Sequence, residues 1–252
     1  MARVPLHIRL LITVLFLGGT ALPLYAAEPI VAGDTNIVAT ANGGRIVAFS
    51  SQSLDENGRV IPEWQVTNLI DGKHVVGNYT PADSYGWSSQ NAPTEEKPEW
   101  VVFAFAGDQT RLLRRLVIDP TTDDPDYIGR WVADVQLQVS TTTPEGPYKP
   151  VGRFLVTNRA ISQHFDFPPA EARYVRLLLT SNHGSDKCVE MGEVEIYEAI
   201  VAGSVLDDLI IRLENLLTDL KHYRDVQLYQ QEQQKVEAVT TPTPPPAPAP
   251  AP

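Results

Sequence analysis

Between Asn36 and Glu198 the sequence never sustains a helical period, and that absence governs what the chain can fold into. In its place stand short apolar runs bounded by turn residues. Trp131 to Ser140 is the clearest, with Val135, Leu137 and Val139 on one face and Gln136 and Gln138 on the other. One face of such a strand is core and the other is wet. Trp100 to Ala106 is nearly continuously apolar, as expected of a strand buried on both faces. Further runs lie at Leu112–Ile118, Val151–Val156, His164–Phe167, Arg173–Leu179 and Glu193–Tyr197, separated by Asp119-Pro120, Pro144-Glu-Gly-Pro147, Pro168-Pro169 and the Ser181–Asp186 loop. Near the start, Asn36–Thr40 and Ile46–Gln52 flank Ala41-Asn-Gly-Gly-Arg45, which reads as a hairpin turn because both Asn and Gly tolerate positive φ. Strands at this spacing predict an all-β, antiparallel jelly-roll β-sandwich over 28–200. Asp123, Asp124 and Asp126 around Pro125 read as a solvated turn, since their spacing lacks the terminal Glu of an EF-hand loop.

The flanks differ in kind. Residues 1–27 carry Arg3, His7 and Arg9, an apolar run from Leu10 to Leu17, then Pro23 and the small pair Ala26-Ala27, the layout of a cleaved export signal. Gly18, Gly19 and Pro23 break the run short of the roughly 20 residues a membrane span needs. The expected destination is the periplasm, the cell surface or the extracellular space. With Cys188 as its only cysteine, the chain has no intramolecular disulfide, so burial or a metal must supply its stability. A net charge of −11 and the lack of any Lys/Arg cluster after the signal argue against nucleic acid and against anionic lipid surfaces, both of which require a basic footprint.

After Ala202 the period changes. Leu206, Leu209, Leu213, Leu216, Leu220 and Tyr223 alternate in steps of three and four, with Ile210 and Leu217 widening the stripe. This predicts an amphipathic helix over 203–236. Two fates are open to it: packing back on the sandwich, or a coiled coil that makes a homo-oligomer through 206–223. The last segment, 239–252, holds seven of the 21 prolines in its Thr240–Pro252 portion and reads as a disordered, polyproline-like tail.

With the strands placed, a resemblance emerges. Asn68-Leu-Ile-Asp-Gly72, Trp87-Ser88, Trp100–Phe105, Asp134–Ser140, Ala172-Arg-Tyr-Val-Arg176 and Gly192-Glu-Val-Glu-Ile-Tyr197 follow one another as in the discoidin, or coagulation factor 5/8 type C, family of galactose-binding-like jelly rolls. The chain is similar to that family from about Asn36 to Glu198. Bacterial members of this kind hold calcium between the Asp-Gly loop and the last strand. Carried onto this chain, the resemblance implies ligands from the Asp71 and Glu193 carboxylates, the Asn68 and Gly192 carbonyls, and an oxygen just before Trp87, at Ser84. A hard cation takes six to eight such oxygens. The competing reading has Asp71 capping a turn and Glu193 facing solvent. The loop His74–Gly86 is longer than the family pattern, which leaves the Ser84 position open.

The family also implies a binding module for a sugar, a lipid or a protein. For a sugar, an aromatic face and directional polar groups are required, and Tyr79, Tyr85, Asn182 and His183 are the candidates. Each has a structural alternative: the tyrosines cover the long loop, and Asn182 and His183 build a turn before Gly184. Trp64, Trp100 and Trp131 read as core or sheet-edge packing. Neither a Gly-x-Ser-x-Gly, a His-Glu-x-x-His nor a Cys-x-x-Cys occurs, so no enzyme is expected. The leading expectation is a non-catalytic module that recognises a glycan or glycoconjugate at the cell envelope, with calcium as its one cofactor. The alternative is a structural subunit that docks on an envelope protein and oligomerises through its helix.

Overall fold

The computed structural model describes residues 30–75, 80–122 and 129–201, together with scattered positions between 206 and 224. The expected signal (1–27), the Asp123–Asp126 turn, Tyr79 and the proline tail lie outside the described residues, as does most of the predicted helix. Those positions described between 206 and 224 have helical backbone.

Among the described residues, eleven strands form the sandwich: β1 (Ile30–Asn36), β2 (Arg45–Phe49), β3 (Trp87–Ser88), β4 (Glu99–Ala104), β5 (Arg111–Asp119), β6 (Val132–Ser140), β7 (Lys149–Leu155), β8 (Gln163–Ala172), β9 (Tyr174–Asn182), β10 (Glu190–Met191) and β11 (Glu193–Val201). They make a four-stranded sheet in the order β1-β11-β5-β8, a five-stranded sheet in the order β2-β4-β9-β6-β7, and a two-stranded ribbon β10-β3. All strand pairings within them are antiparallel.

The inward residues of the two large sheets meet in one core. Val101, Phe103 and Phe105 from the β4 region pack with Leu113, Leu116 and Ile118 of β5, Val135 and Leu137 of β6, and Leu177 and Leu179 of β9. Each such side chain removed from water stabilises the fold by about 1.5–3 kcal/mol. The alternation read for Trp131–Ser140 is present, with Val135, Leu137 and Val139 buried and Gln136 and Gln138 half-buried. The continuous burial expected of Trp100–Ala106 has a specific cause. Val102 and Ala104 point away from the core and are covered on the outer face by Tyr174, Tyr148 and Trp100.

The predicted hairpin around Asn42-Gly43 does not form. β1 belongs to the four-stranded sheet and β2 to the five-stranded one, so the chain crosses between layers here. Ile37 and Val38 enter the shared core, and Asn36 fixes the crossing by accepting from the backbone N–H groups of Val38 (3.2 Å) and Ile196 (3.1 Å). Thr40–Asn42 is a 3-10 turn ended by Gly43 at φ 82°. The local Asn-Gly signal is real, but burial of Ile37 and Val38 outweighs in-sheet pairing. Pro168-Pro169 does not end its strand either. β8 runs through both prolines to Ala172, which a sheet edge tolerates because the missing N–H faces no neighbour.

Candidate functional site

Two clusters of polar groups lie where β3 and β10 join the sheets. The first gathers the expected calcium ligands. A 3-10 turn, Val66–Ile70, ends at Asp71, and Gly72 follows at φ 76°. The Gly72 N–H donates to Glu193 Oε1 at 3.2 Å, which brings the Asp71 loop onto the first residue of β11. Asn68 ties the loop inward, its amide donating to the carbonyls of Glu63 (2.8 Å), Pro62 (3.1 Å) and Gly86 (3.2 Å). Gly86 in turn lies against β10, where a Cβ would stand 2.5 Å from the Met191 carbonyl oxygen and 2.8 Å from the Gly192 Cα. Asn68, Asp71, Gly192 and Glu193 are therefore linked through a short chain of contacts, with Ser84 two residues from Gly86.

Glu193 does not face solvent. It is 1% exposed, and its Oε2 meets no hydrogen-bond partner among the described residues, nor does the buried Ser84 Oγ. Burial, reinforced by the charge of Asp71, pushes the Glu193 carboxyl up to about 10. Beside it, His74 Nδ1 lies 2.9 Å from the buried Asp119 carboxylate. Burial opposes a charged imidazole, but the hydrogen bond and charge of Asp119, with Glu195 and Asp71 behind it, raise the His74 pKa above its usual value. A buried carboxyl with an orphaned oxygen, a second carboxylate and a buried hydroxyl make a donor set suited to a hard cation. No three of His, Cys, Asp and Glu gather to hold a metal among the described residues, so backbone carbonyls would have to complete such a shell.

The second cluster is an open cavity of about 680 Å³. Its walls come from the Ser53–Trp64 loop, from Ser88–Gln90 after β3, from Arg130 before β6, and from Lys187–Glu190 leading into β10. Trp64 is half-buried at one side, and Tyr85 stands edge-on to it with ring centroids 5.5 Å apart at 78°. The loop is held by Asp55, whose carboxylate accepts from the backbone N–H groups of Asn57 and Arg59 at 2.8 Å each. Ser53 N–H bonds the Ser88 carbonyl at 2.8 Å, locking the loop to β3. Such a cavity offers an aromatic flank and a ring of fixed donors and acceptors.

The sugar candidates fall differently. Tyr79 lies outside the described residues. Tyr85 supports Trp64 from behind and does not line the cavity. Asn182 spends its amide on the carbonyls of Ser185 and Cys188, both at 2.8 Å, and its Oδ1 accepts from Gly184 N–H. His183 Nε2 lies 3.0 Å from the Val156 carbonyl. Both side chains shape the loop, and it is Lys187 and Cys188 of the same loop that reach the cavity. Trp64, read as packing, is the aromatic residue that lines it. Its position between the polar Glu63 and Gln65 was the signal available in the sequence.

The chain matches the F5/8 type C domain across residues 47–194. Among curated proteins none matches. Solved structures with a similar fold include a Clostridium perfringens module in complex with GalNAc-β-1,3-galactose. It is 15% identical, with a TM-score of 0.47, covering 64% of this chain and 98% of that one. Another is the family 32 carbohydrate-binding module of Streptococcus pneumoniae EndoD, 17% identical, with a TM-score of 0.47 over 65% of this chain and 99% of that one. A third is the allantoicase of Saccharomyces cerevisiae, 12% identical, with a TM-score of 0.45 over 67% of this chain and 43% of that one. The family match spans more than half of the sequence and includes the residues that build the two polar clusters: this chain belongs to the F5/8 type C domain family.

Proposed function

We propose that the protein is an exported, non-catalytic carbohydrate-binding module, and that its sugar sits in the cavity beside Trp64. The observation that carries this reading is the cavity's make-up: an indole flank for the C–H face of a pyranose, with Ser53, Gln90 and Arg130 placed to meet its hydroxyls. The 1–27 signature supports export to the periplasm or cell surface. A glycan array with the full chain and a Trp64→Ala variant tests it. Sugar signals that weaken at least about tenfold in the variant support the reading, the loss expected when a stacking aromatic is removed. No signal from the wild type on any glycan refutes it.

Calcium belongs to the same reading as a fastener of the fold. The Asp71 and Glu193 carboxylates, the Ser84 hydroxyl and the Asn68 and Gly192 carbonyls would hold it, and when bound it supplies the positive charge that the buried Glu193 otherwise lacks. It would tie the Asp71 loop to β11 without touching the sugar.

A second reading has its own support. Leu206, Leu209, Leu213, Leu216 and Leu220 are 50–65% exposed and form an apolar stripe. A structural subunit that assembles with copies of itself or docks on an envelope protein would bury it. Light scattering on the full chain and on Leu209→Asp/Leu213→Asp/Leu216→Asp tests self-assembly. An oligomer that falls to a monomer supports it, and a monomeric mass in both excludes it.

A further inference from the structure

Glu190 sits under the cavity in a position no surface charge occupies. Its strand β10 pairs with β3 at Ser88, and a parallel bridge joins Glu190 to Trp131, so the side chain lies where three segments meet. It is 2% exposed, yet its carboxylate is fully engaged. Arg130 Nη1 lies 3.2 Å from Oε1, Thr122 Oγ1 donates to Oε2 at 3.0 Å, and the Cys188 thiol lies 3.6 Å from Oε1. Thr122 is itself fixed by the Trp131 indole N–H at 2.9 Å.

Its consequence falls on Arg130, which lines the cavity and keeps 24% of its side chain exposed. An uncompensated guanidinium in a sugar pocket attracts carboxylates, because it matches them with two parallel hydrogen bonds. Here the charge is already cancelled by a buried partner. Across the cavity stand Asp55 and Glu56, and Lys187 is the remaining cation of the wall. A carboxylate entering this space meets a guanidinium that is taken and two further acidic side chains in the lining, Asp55 and Glu56.

We propose that Glu190 is a charge-selectivity residue: by holding and neutralising Arg130 it fits the cavity to an uncharged sugar and turns away sugars that bear a carboxylate. Arg130 faces the ligand, and Glu190 acts through it as a positioning residue. This rests on the sugar-binding reading of the cavity, and it adds a repulsive element to that site's specificity.

Methyl galactoside and methyl galacturonide differ only in CH₂OH against COO⁻, and calorimetric titration of both probes into the full chain separates the cases. The wild type is expected to bind the neutral probe more tightly. In Glu190→Gln the ratio of acidic to neutral binding rises by about tenfold, the factor of one close charge pair. In Glu190→Gln/Arg130→Gln that gain disappears. Arg130→Gln alone, which removes the guanidinium and keeps the Glu190 carboxylate, binds the acidic probe more weakly still, and this variant carries the test if Glu190→Gln does not fold. A Glu190→Gln protein that loses both probes in equal proportion, or an Arg130→Gln protein that gains the acidic one, overturns the inference while leaving sugar binding intact. A wild type that binds neither probe nor any arrayed glycan overturns the sugar reading and this inference with it.

Discussion

Glu190 and Glu193 lie three residues apart, both almost fully buried, and they are treated in opposite ways. Glu190 has its countercharge inside the chain, in Arg130, with Thr122 and Cys188 completing the set. Glu193 has a backbone N–H on one oxygen, nothing on the other among the described residues, and the negative Asp71 beside it. Burying a carboxylate is costly unless it is paired. The first glutamate is therefore a finished structural pair, and the second is the one to which the calcium proposal gives a cation from solution. On the two proposals, the ends of one short segment have different tasks, shaping the cavity and fastening the fold.

The sharpest way to break this comparison is to remove each carboxylate. Glu190→Ala should destabilise the protein by about 3 kcal/mol, since it removes the buried half of the Arg130–Glu190 ion pair, and the loss should be the same in calcium and in chelator. Urea melts in the two conditions check this. A loss that calcium repairs would mean that Glu190 is part of the cation site.

Next in size is the response to calcium itself. At a calcium concentration 100 times its dissociation constant, binding to the native state alone adds about 2.7 kcal/mol. For a domain of this size that is roughly 5–10 °C in melting temperature. Scanning calorimetry should show that rise in the wild type and none in Asp71→Ala/Glu193→Ala. An equal melting temperature with calcium and with chelator in the wild type would end the calcium proposal.

A smaller effect is expected from pH. Without calcium, folded Glu193 holds its proton to about pH 10, while the unfolded chain releases it near the ordinary value of 4.5. Between those values the native state binds more protons, so stability falls as pH rises. His74, whose pKa is also raised, adds to the fall just above its usual range. Glu193→Gln should reduce the slope near pH 8, above the usual His74 range and below the ordinary values of Cys188 and Tyr148, whose pKa values are also raised. A wild-type curve in chelator that rises from pH 6 to 9 would contradict the assignment. The smallest change belongs to Asn182→Ala, which should leave sugar affinity within about threefold, because its amide is spent on its own loop. A larger loss of affinity with an unchanged melting temperature would place Asn182 in the site after all.

The sequence carried the sandwich because its signals are local. The alternation of β6 and the doubly buried β4 can be read from ten or fewer neighbours. The convergence of Asp71 with Glu193 was reachable as well, through family motifs rather than through spacing. What escaped depends on long-range burial. The Asn42-Gly43 turn looks like a hairpin until Ile37 and Val38 are seen to be needed by a core shared between sheets. Glu190 reads as one more acidic residue until β10 pairs with β3 and sets it beside Arg130, sixty residues away in the chain. Trp64 is visible as an aromatic residue, but only the loop's anchorage through Asp55 and Ser53 makes it a wall.

One measurement tests the division of labour most directly: amide chemical-shift mapping of the full chain with a neutral galactoside, then with calcium. The sugar should move resonances at Trp64, Gln90, Arg130 and Lys187 and leave Asp71 to Lys73 and Glu193 in place, while calcium does the reverse. Sugar-induced shifts centred on Gly72 and Glu193, or none at Trp64 at a saturating sugar concentration, would contradict it.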